Sequence, residues 1–175
     1  MTAFVALLRA VNVGGTGKLP MSELAAMCEA AGFAKVKTYI ASGNVVFVSA
    51  LAETKVKAEL EKRLADYAGR PVGVAVRTAQ EMAQVLDGNP FPDAAGNRAV
   101  VIFLDAAPPK DGADKATGRA HDEEIGLGRR EIYVRYGDAG QGNSKLRIPA
   151  AKAGTARNMN TVAKLADMAS RRGGA

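Results

Sequence analysis

The chain has 175 residues, of which 47 % are apolar and 5 % aromatic, with no tryptophan, one cysteine and one histidine. This suits one domain, or two small ones, around an aliphatic core; it excludes an internal disulfide and a histidine-based metal cluster. The net charge of +6 is concentrated at one end, since acids and bases balance through residue 138 and Lys145, Arg147, Lys152, Arg157, Lys164, Arg171 and Arg172 then face Asp167 alone.

Taken in chain order, "AFVALLRAV" is an unbroken apolar run that predicts a buried strand. It is too short to cross a membrane, and Arg9 and Asn12 interrupt it, so the expectation is a cytoplasmic protein with no membrane partner. Pro20 suits a helix start, and the next helix runs to about Ala31, with Gly32 as its terminator. Met21, Leu24, Ala25 and Cys28 share one helix face, which makes Cys28 a buried, core-filling thiol. "VKTYIASGNVVFVS" predicts two strands around the turn Ser42-Gly43-Asn44. "ETKVKAELEKRLADYAG" predicts a helix with the apolar stripe Val56, Leu60, Leu64 and Tyr67, stopped by Gly69.

"PVGVAVRT" is the next strand. Thr78 and Glu81 then form a capping box at the head of a helix that ends before "GNPFP". "RAVVIFL" predicts a buried strand, "PPKDGADKATG" a polar connection, and "HDEEIGLGRREIYVRYG" a hairpin turning near Gly128-Arg129. The acids of "HDEE" are expected in solvent. "SKLRIPAAKAG" predicts a helix interrupted by Pro149. "NMNTVAKLADMASRR" predicts the last helix, with Val162, Leu165, Ala166 and Ala169 inward.

The first part reads β-α-β-β-α-β, the ferredoxin-like order. A linking helix and a similar, degraded order follow. The expectation is an α+β fold: a ferredoxin-like half over residues 1–78, a linking helix and loop over 79–97, and a second half with extra C-terminal helices over 98–175. With no linker between them, the halves are expected to pack together as one compact unit.

The stretch "RAVNVGGTGKLPM" resembles a phosphate loop only in its glycines. Aligned on Gly17-Lys18, the G-x-x-x-x-G-K-[ST] pattern finds Asn12 at its first glycine, Leu19 at its hydroxyl and then Pro20, which has no amide to offer. The glycines read instead as a strand-to-helix connection that could form a flap. Nucleophilic catalysis has no support either: Ser42 lacks the strand-turn-helix context of a nucleophile elbow. No metal site or cofactor is expected. The RNA-recognition platform also fails, because "NVVFV" carries a single aromatic.

The polar signal that remains is local. "TARNMNTVAKL" puts Arg157, Asn158, Asn160 and Thr161 at a predicted helix start, where free amides and a guanidinium could hold an anion. The same residues could equally cap the helix and pair with a carboxylate. Arg9, Asn12, Ser42 and Asn44 stand at strand ends and a turn. These eight residues are the ligand-binding candidates, expected to converge on a cleft between the halves, with Gly14 to Gly17 as rim.

"LLRAVNVGG", "MSELAAMCEAAGF", "VKTYIASGNVVF", "NPF" and "TARNMNTVAKL" together resemble the bacterial family called domain of unknown function 1697. The resemblance runs from the first strand to the last helix. It implies an α+β fold of ferredoxin-like units and no activity. Two positions depart from the family pattern: Ala10 stands where glycine is usual, and Met159 where an aromatic, often tryptophan, is usual. Three readings of function follow. One is a binding protein for an anionic small molecule bearing phosphate or carboxylate; nucleic-acid backbone is a weaker form of it. The second is an enzyme working without His or Cys. The third is a protein-interaction module.

Overall fold

The computed structural model describes residues 1–12 and 18–173. Strands β1 (Thr2–Leu8), β2 (Ala34–Thr38), β3 (Asn44–Ser49) and β4 (Val74–Thr78) form one antiparallel sheet in the order β2-β3-β1-β4. Helix α1 (Met21–Ala30) follows β1, α2 (Glu53–Ala68) follows β3, and α3 (Ala79–Asp87) follows β4. Strands β5 (Ala99–Phe103), β6 (Glu124–Leu127), β7 (Glu131–Arg135) and β8 (Thr155–Asn158) form a second antiparallel sheet, β6-β7-β5-β8, and α4 (Met159–Arg172) closes the chain. Among the described residues no helix is long and apolar enough to cross a membrane.

The chain divides into two units, Met1–Ala83 with Lys164–Ala175, and Gln84–Ala163. The divisions fall inside α3 and inside α4. The last helix is therefore shared, where the sequence assigned all of it to the second half.

In the first unit β1 is buried from Ala3 to Leu8. The continuous apolar run follows from this, because a strand covered on both faces has no outward positions to make polar. One face packs Phe4, Ala6, Leu8, Val45, Phe47, Val74 and Val76 against Leu24 and Cys28 of α1 and Val56, Leu60 and Leu64 of α2. Phe33 stacks on Phe47 with centroids 4.4 Å apart. Tyr67 continues the α2 stripe by spacing, yet it is 47 % exposed. It lies one turn beyond Leu64, where the core ends. The capping box forms as expected: the Thr78 N–H donates to Glu81 Oε1 at 2.9 Å, and the Glu81 N–H to Thr78 Oγ1 at 3.1 Å.

The second unit repeats the strand order of the first with its helices removed. Relabelled from its own start, β6-β7-β5-β8 is again second-third-first-fourth. A hydrogen bond repeats too. The Leu8 N–H at the end of β1 donates to Gly43 O before β3, and the Leu104 N–H just after β5 donates to Arg130 O before β7.

Three expectations change here. The helix expected across Ser144–Gly154 shrinks to a 3-10 turn, Pro149–Ala151. Leu146 and Ile148 alternate toward the core in extended chain, a period of two that the Pro149 ring reinforces by disfavouring helix at the residue before it. Thr155–Asn158, expected at the head of the last helix, is strand β8, because the edge of β5 offers it a ladder. Glu123 of "HDEE", expected in solvent, is buried; its carboxylate accepts the Ala120 N–H at 2.8 Å and the Ser144 hydroxyl.

Candidate functional site

The chain leaving β1 is held on both sides. The Leu8 N–H reaches Gly43 O at 2.8 Å and the Arg9 N–H reaches Gly73 O at 2.9 Å. It then turns sharply, with Ala10 at φ 54° and Asn12 at φ 55°. Both lie in the left-handed region, which asparagine tolerates better than alanine. The Asn12 side chain spans the turn. Its Nδ2 donates to Leu19 O at 2.8 Å and to Ala41 O at 2.8 Å, and its Oδ1 accepts the Leu19 N–H at 2.7 Å.

The β2–β3 turn facing it is equally specified. Asn44 is fully buried; its Nδ2 donates to Tyr39 O at 2.9 Å and to Ser42 Oγ at 3.0 Å. Gly43 has φ 93°, and a Cβ there would lie 2.6 Å from Val11 Cγ2 and 2.9 Å from Leu8 Cβ. Only glycine fits both the backbone angle and the space. Four of the candidate residues, Arg9, Asn12, Ser42 and Asn44, are thus brought to one end of the first sheet. Arg9 is exposed there, while the two asparagines and Ser42 engage in local hydrogen bonds.

Beside them opens a cavity of about 190 Å³ lined by Val11, Lys18, Leu19, Leu64, Tyr67, Ala68, Arg70 and Val72. Val11, Leu19, Leu64 and Val72 are buried and apolar. Lys18 and Arg70 are exposed, and among the described residues no carboxylate lines the space. Two other cations of this unit, Lys57 and Arg63, stand in ion pairs, with Glu61 at 3.2 Å and Glu59 at 2.7 Å. Neither Lys18 nor Arg70 is paired among the described residues. The C-terminus of α2 forms one wall, where Gly69 (φ 71°) caps the helix and its N–H satisfies Ala65 O at 2.9 Å. The carbonyls of Asp66, Tyr67 and Ala68 have no intrahelical donor.

The other candidates lie in the second unit. Arg157 is on β8 opposite Val101, and its Nη1 donates to Ala156 O at 2.8 Å. Burial brings its pKa down from 12.5 to about 10. Asn158 caps α4, its Oδ1 accepting the Thr161 N–H at 3.0 Å, and the Met159 N–H donates to Gly96 O at 3.0 Å. Asn160 lies over Gly96, where a Cβ would come 1.9 Å from its Oδ1. Thr161 is buried. Two amides of this helix start are therefore already taken by the chain itself.

Lys18, Tyr67 and Arg70 were not among the ligand-binding candidates read from the sequence. The available signal was thin: Arg70 next to a helix-ending glycine and Lys18 two residues before Pro20, with no acid adjacent to either. Gly14 and the rest of the 14–17 rim lie outside the described residues. Among those described, no three His, Cys, Asp or Glu side chains are grouped to hold a metal.

A family described as protein of unknown function (DUF1697) matches residues 1–133. The structure is similar to that of conserved bacterial protein SP0830 from Streptococcus pneumoniae, with a TM-score of 0.77 and 22 % identity over 96 % of this chain and 98 % of the other. That likeness speaks to the fold. Among curated proteins nothing matches.

Proposed function

The chain belongs to the family of proteins of unknown function DUF1697, and on that premise we propose that it binds an anionic, phosphate- or carboxylate-bearing ligand at the end of its first sheet. One observation carries the reading. Lys18 and Arg70 border a cavity whose floor is apolar and whose lining, among the described residues, contains no acid. Two cations held near one apolar hollow raise the local potential for an anion, and Arg70 can offer two parallel donors to it. Arg9, beside Gly73, adds a third positive side chain at the same end.

Within this reading Asn12, Ser42 and Asn44 are positioning residues. Asn12 fixes Leu19, and with it the neighbouring Lys18, while Asn44 shapes the turn on which Asn12 leans. Each unit is a ferredoxin-like half in this proposal; the shared strand order and the repeated hydrogen bond at Leu8 and Leu104 support it. Such a scaffold leaves strand ends and their loops free to carry a site.

The test is a thermal-shift titration with inorganic phosphate, pyrophosphate and citrate. A ligand at a hundredfold excess over Kd stabilises by about 2.7 kcal/mol. The Lys18→Met, Arg70→Met double variant should fold normally, since both side chains are exposed, and should lose the shift. A shift of the same size in that variant would place the anion elsewhere.

A further inference from the structure

We infer that the ligand carries a planar ring next to its anionic group, as a nucleoside monophosphate does; this rests on the anion-binding reading above. Three features of the cavity point to a ring. Its volume, about 190 Å³, is below the roughly 300–1,000 Å³ of pockets that enclose a whole drug-sized molecule, so it suits the insertion of one flat group. Its floor of Val11, Leu19, Leu64 and Val72 is aliphatic and buried. Its wall holds Tyr67, an aromatic residue left 47 % exposed at the end of an otherwise buried stripe. An exposed aromatic side chain beside an apolar floor offers a base something to stack on.

The polar edges match the same chemistry. A nucleobase has ring or exocyclic N–H donors at its edge. The last turn of α2, whose Tyr67 and Ala68 line the cavity, carries the carbonyls of Asp66, Tyr67 and Ala68, which lack intrahelical donors. The phosphate then belongs with Lys18 and Arg70, whose charges offset the negative end of the helix dipole beside it. A purely aliphatic phosphate or a dicarboxylate would use Lys18 and Arg70 and leave Tyr67 and these carbonyls without a role.

The experiment compares AMP, UMP, ribose 5-phosphate, adenosine and inorganic phosphate by calorimetry on the intact protein, its Tyr67→Leu variant and the Lys18→Met, Arg70→Met double variant. Tyr67 is exposed, so leucine there keeps apolar bulk without disturbing the core. The expected result is AMP binding at least about tenfold tighter than ribose 5-phosphate, the scale of one base–aromatic stack. Tyr67→Leu should remove that preference while retaining sugar-phosphate binding, and the double variant should lose both. Equal affinity for AMP and ribose 5-phosphate, or a preference that survives Tyr67→Leu, overturns the ring while leaving the anion reading intact. Binding of no phosphate compound to the intact protein, or unchanged binding by the double variant, overturns both.

Discussion

Asn12 grips Leu19 by both of its backbone polar groups, donating to the carbonyl at 2.8 Å and accepting from the N–H at 2.7 Å. A side-chain amide here does what a neighbouring strand does elsewhere, and its second N–H ties the pair to Ala41 at 2.8 Å. Asn12→Asp keeps the acceptor and removes both donations. Loss of hydrogen bonds that position a loop costs about 1–3 kcal/mol. Chemical denaturation should show that loss, and the anion shift should weaken with it as Lys18 is released.

Ala10 sits at φ 54°, in the left-handed region that glycine adopts without penalty. An alanine in this region costs roughly 1–2 kcal/mol through its Cβ, partly offset by the entropy that glycine would lose on folding. Ala10→Gly should therefore stabilise by about 0.5–1 kcal/mol. The urea midpoint should rise with an unchanged slope; a fall in midpoint would sink the strain argument.

Gly43 makes the opposite case. Alanine there meets φ 93° together with Val11 and Leu8 at 2.6 and 2.9 Å. Backbone strain and overpacking each cost about 1–3 kcal/mol, so Gly43→Ala should lose at least about 2 kcal/mol and displace Val11 into the neighbouring cavity. The thermal midpoint reads the first effect, and a weakened anion titration the second.

Asn158 is assigned to capping and not to ligand. Its Oδ1 satisfies the Thr161 amide at 3.0 Å. Asn158→Ala should cost about 1 kcal/mol and leave the phosphate-induced shift unchanged in degrees. A shift that vanishes with stability intact would move the site to α4.

Burial, with a smaller push from Glu29 and an opposing pull from Arg63, raises the Cys28 thiol from 9.0 to about 12. Below pH 9 both folded and unfolded chains keep this proton, so it contributes no pH dependence. Above pH 9 the unfolded chain releases it first, binds fewer protons, and stability falls as pH rises. Tyr133, raised from 10.0 to about 12 mainly by burial, adds to the fall above pH 10, and Arg157, lowered to about 10, opposes it there. Between pH 9 and 10 the opposing Tyr133 and Arg157 contributions nearly cancel and the thiol dominates, with a loss of about 1 kcal/mol. Cys28→Ala should flatten that interval in denaturant titrations whatever it does to absolute stability, and the native thiol should resist thiol reagents at pH 8.

The parts of this fold that depend on neighbours in sequence were legible before any coordinate. The Thr78–Glu81 box, the Gly69 cap on α2, the turn at Ser42-Gly43-Asn44 and the inward face of Val162, Leu165 and Ala169 each follow from spacing over a few residues. The family likeness was legible for the same reason, since such motifs survive as short strings. The residues from Ser144 to Asn158 misled because their structure is set from outside: Leu146 and Ile148 meet a core, and Thr155–Asn158 a free strand edge, that lie far away in the chain.

The site divides in the same way. Asn12 and Asn44 could be recognised as special from sequence, because polar residues at strand ends have somewhere to send their hydrogen bonds. That they would be spent on Leu19, Ala41 and Tyr39 was a tertiary decision. So was the cavity, assembled from residues near 11, 18, 64 and 70. Hydrogen-bond capacity, capping and periodicity are properties of a residue and its near neighbours, and the sequence carries them. An unpaired cation beside an apolar hollow is a property of what is missing from its surroundings, and only the folded chain determines which acids are far away.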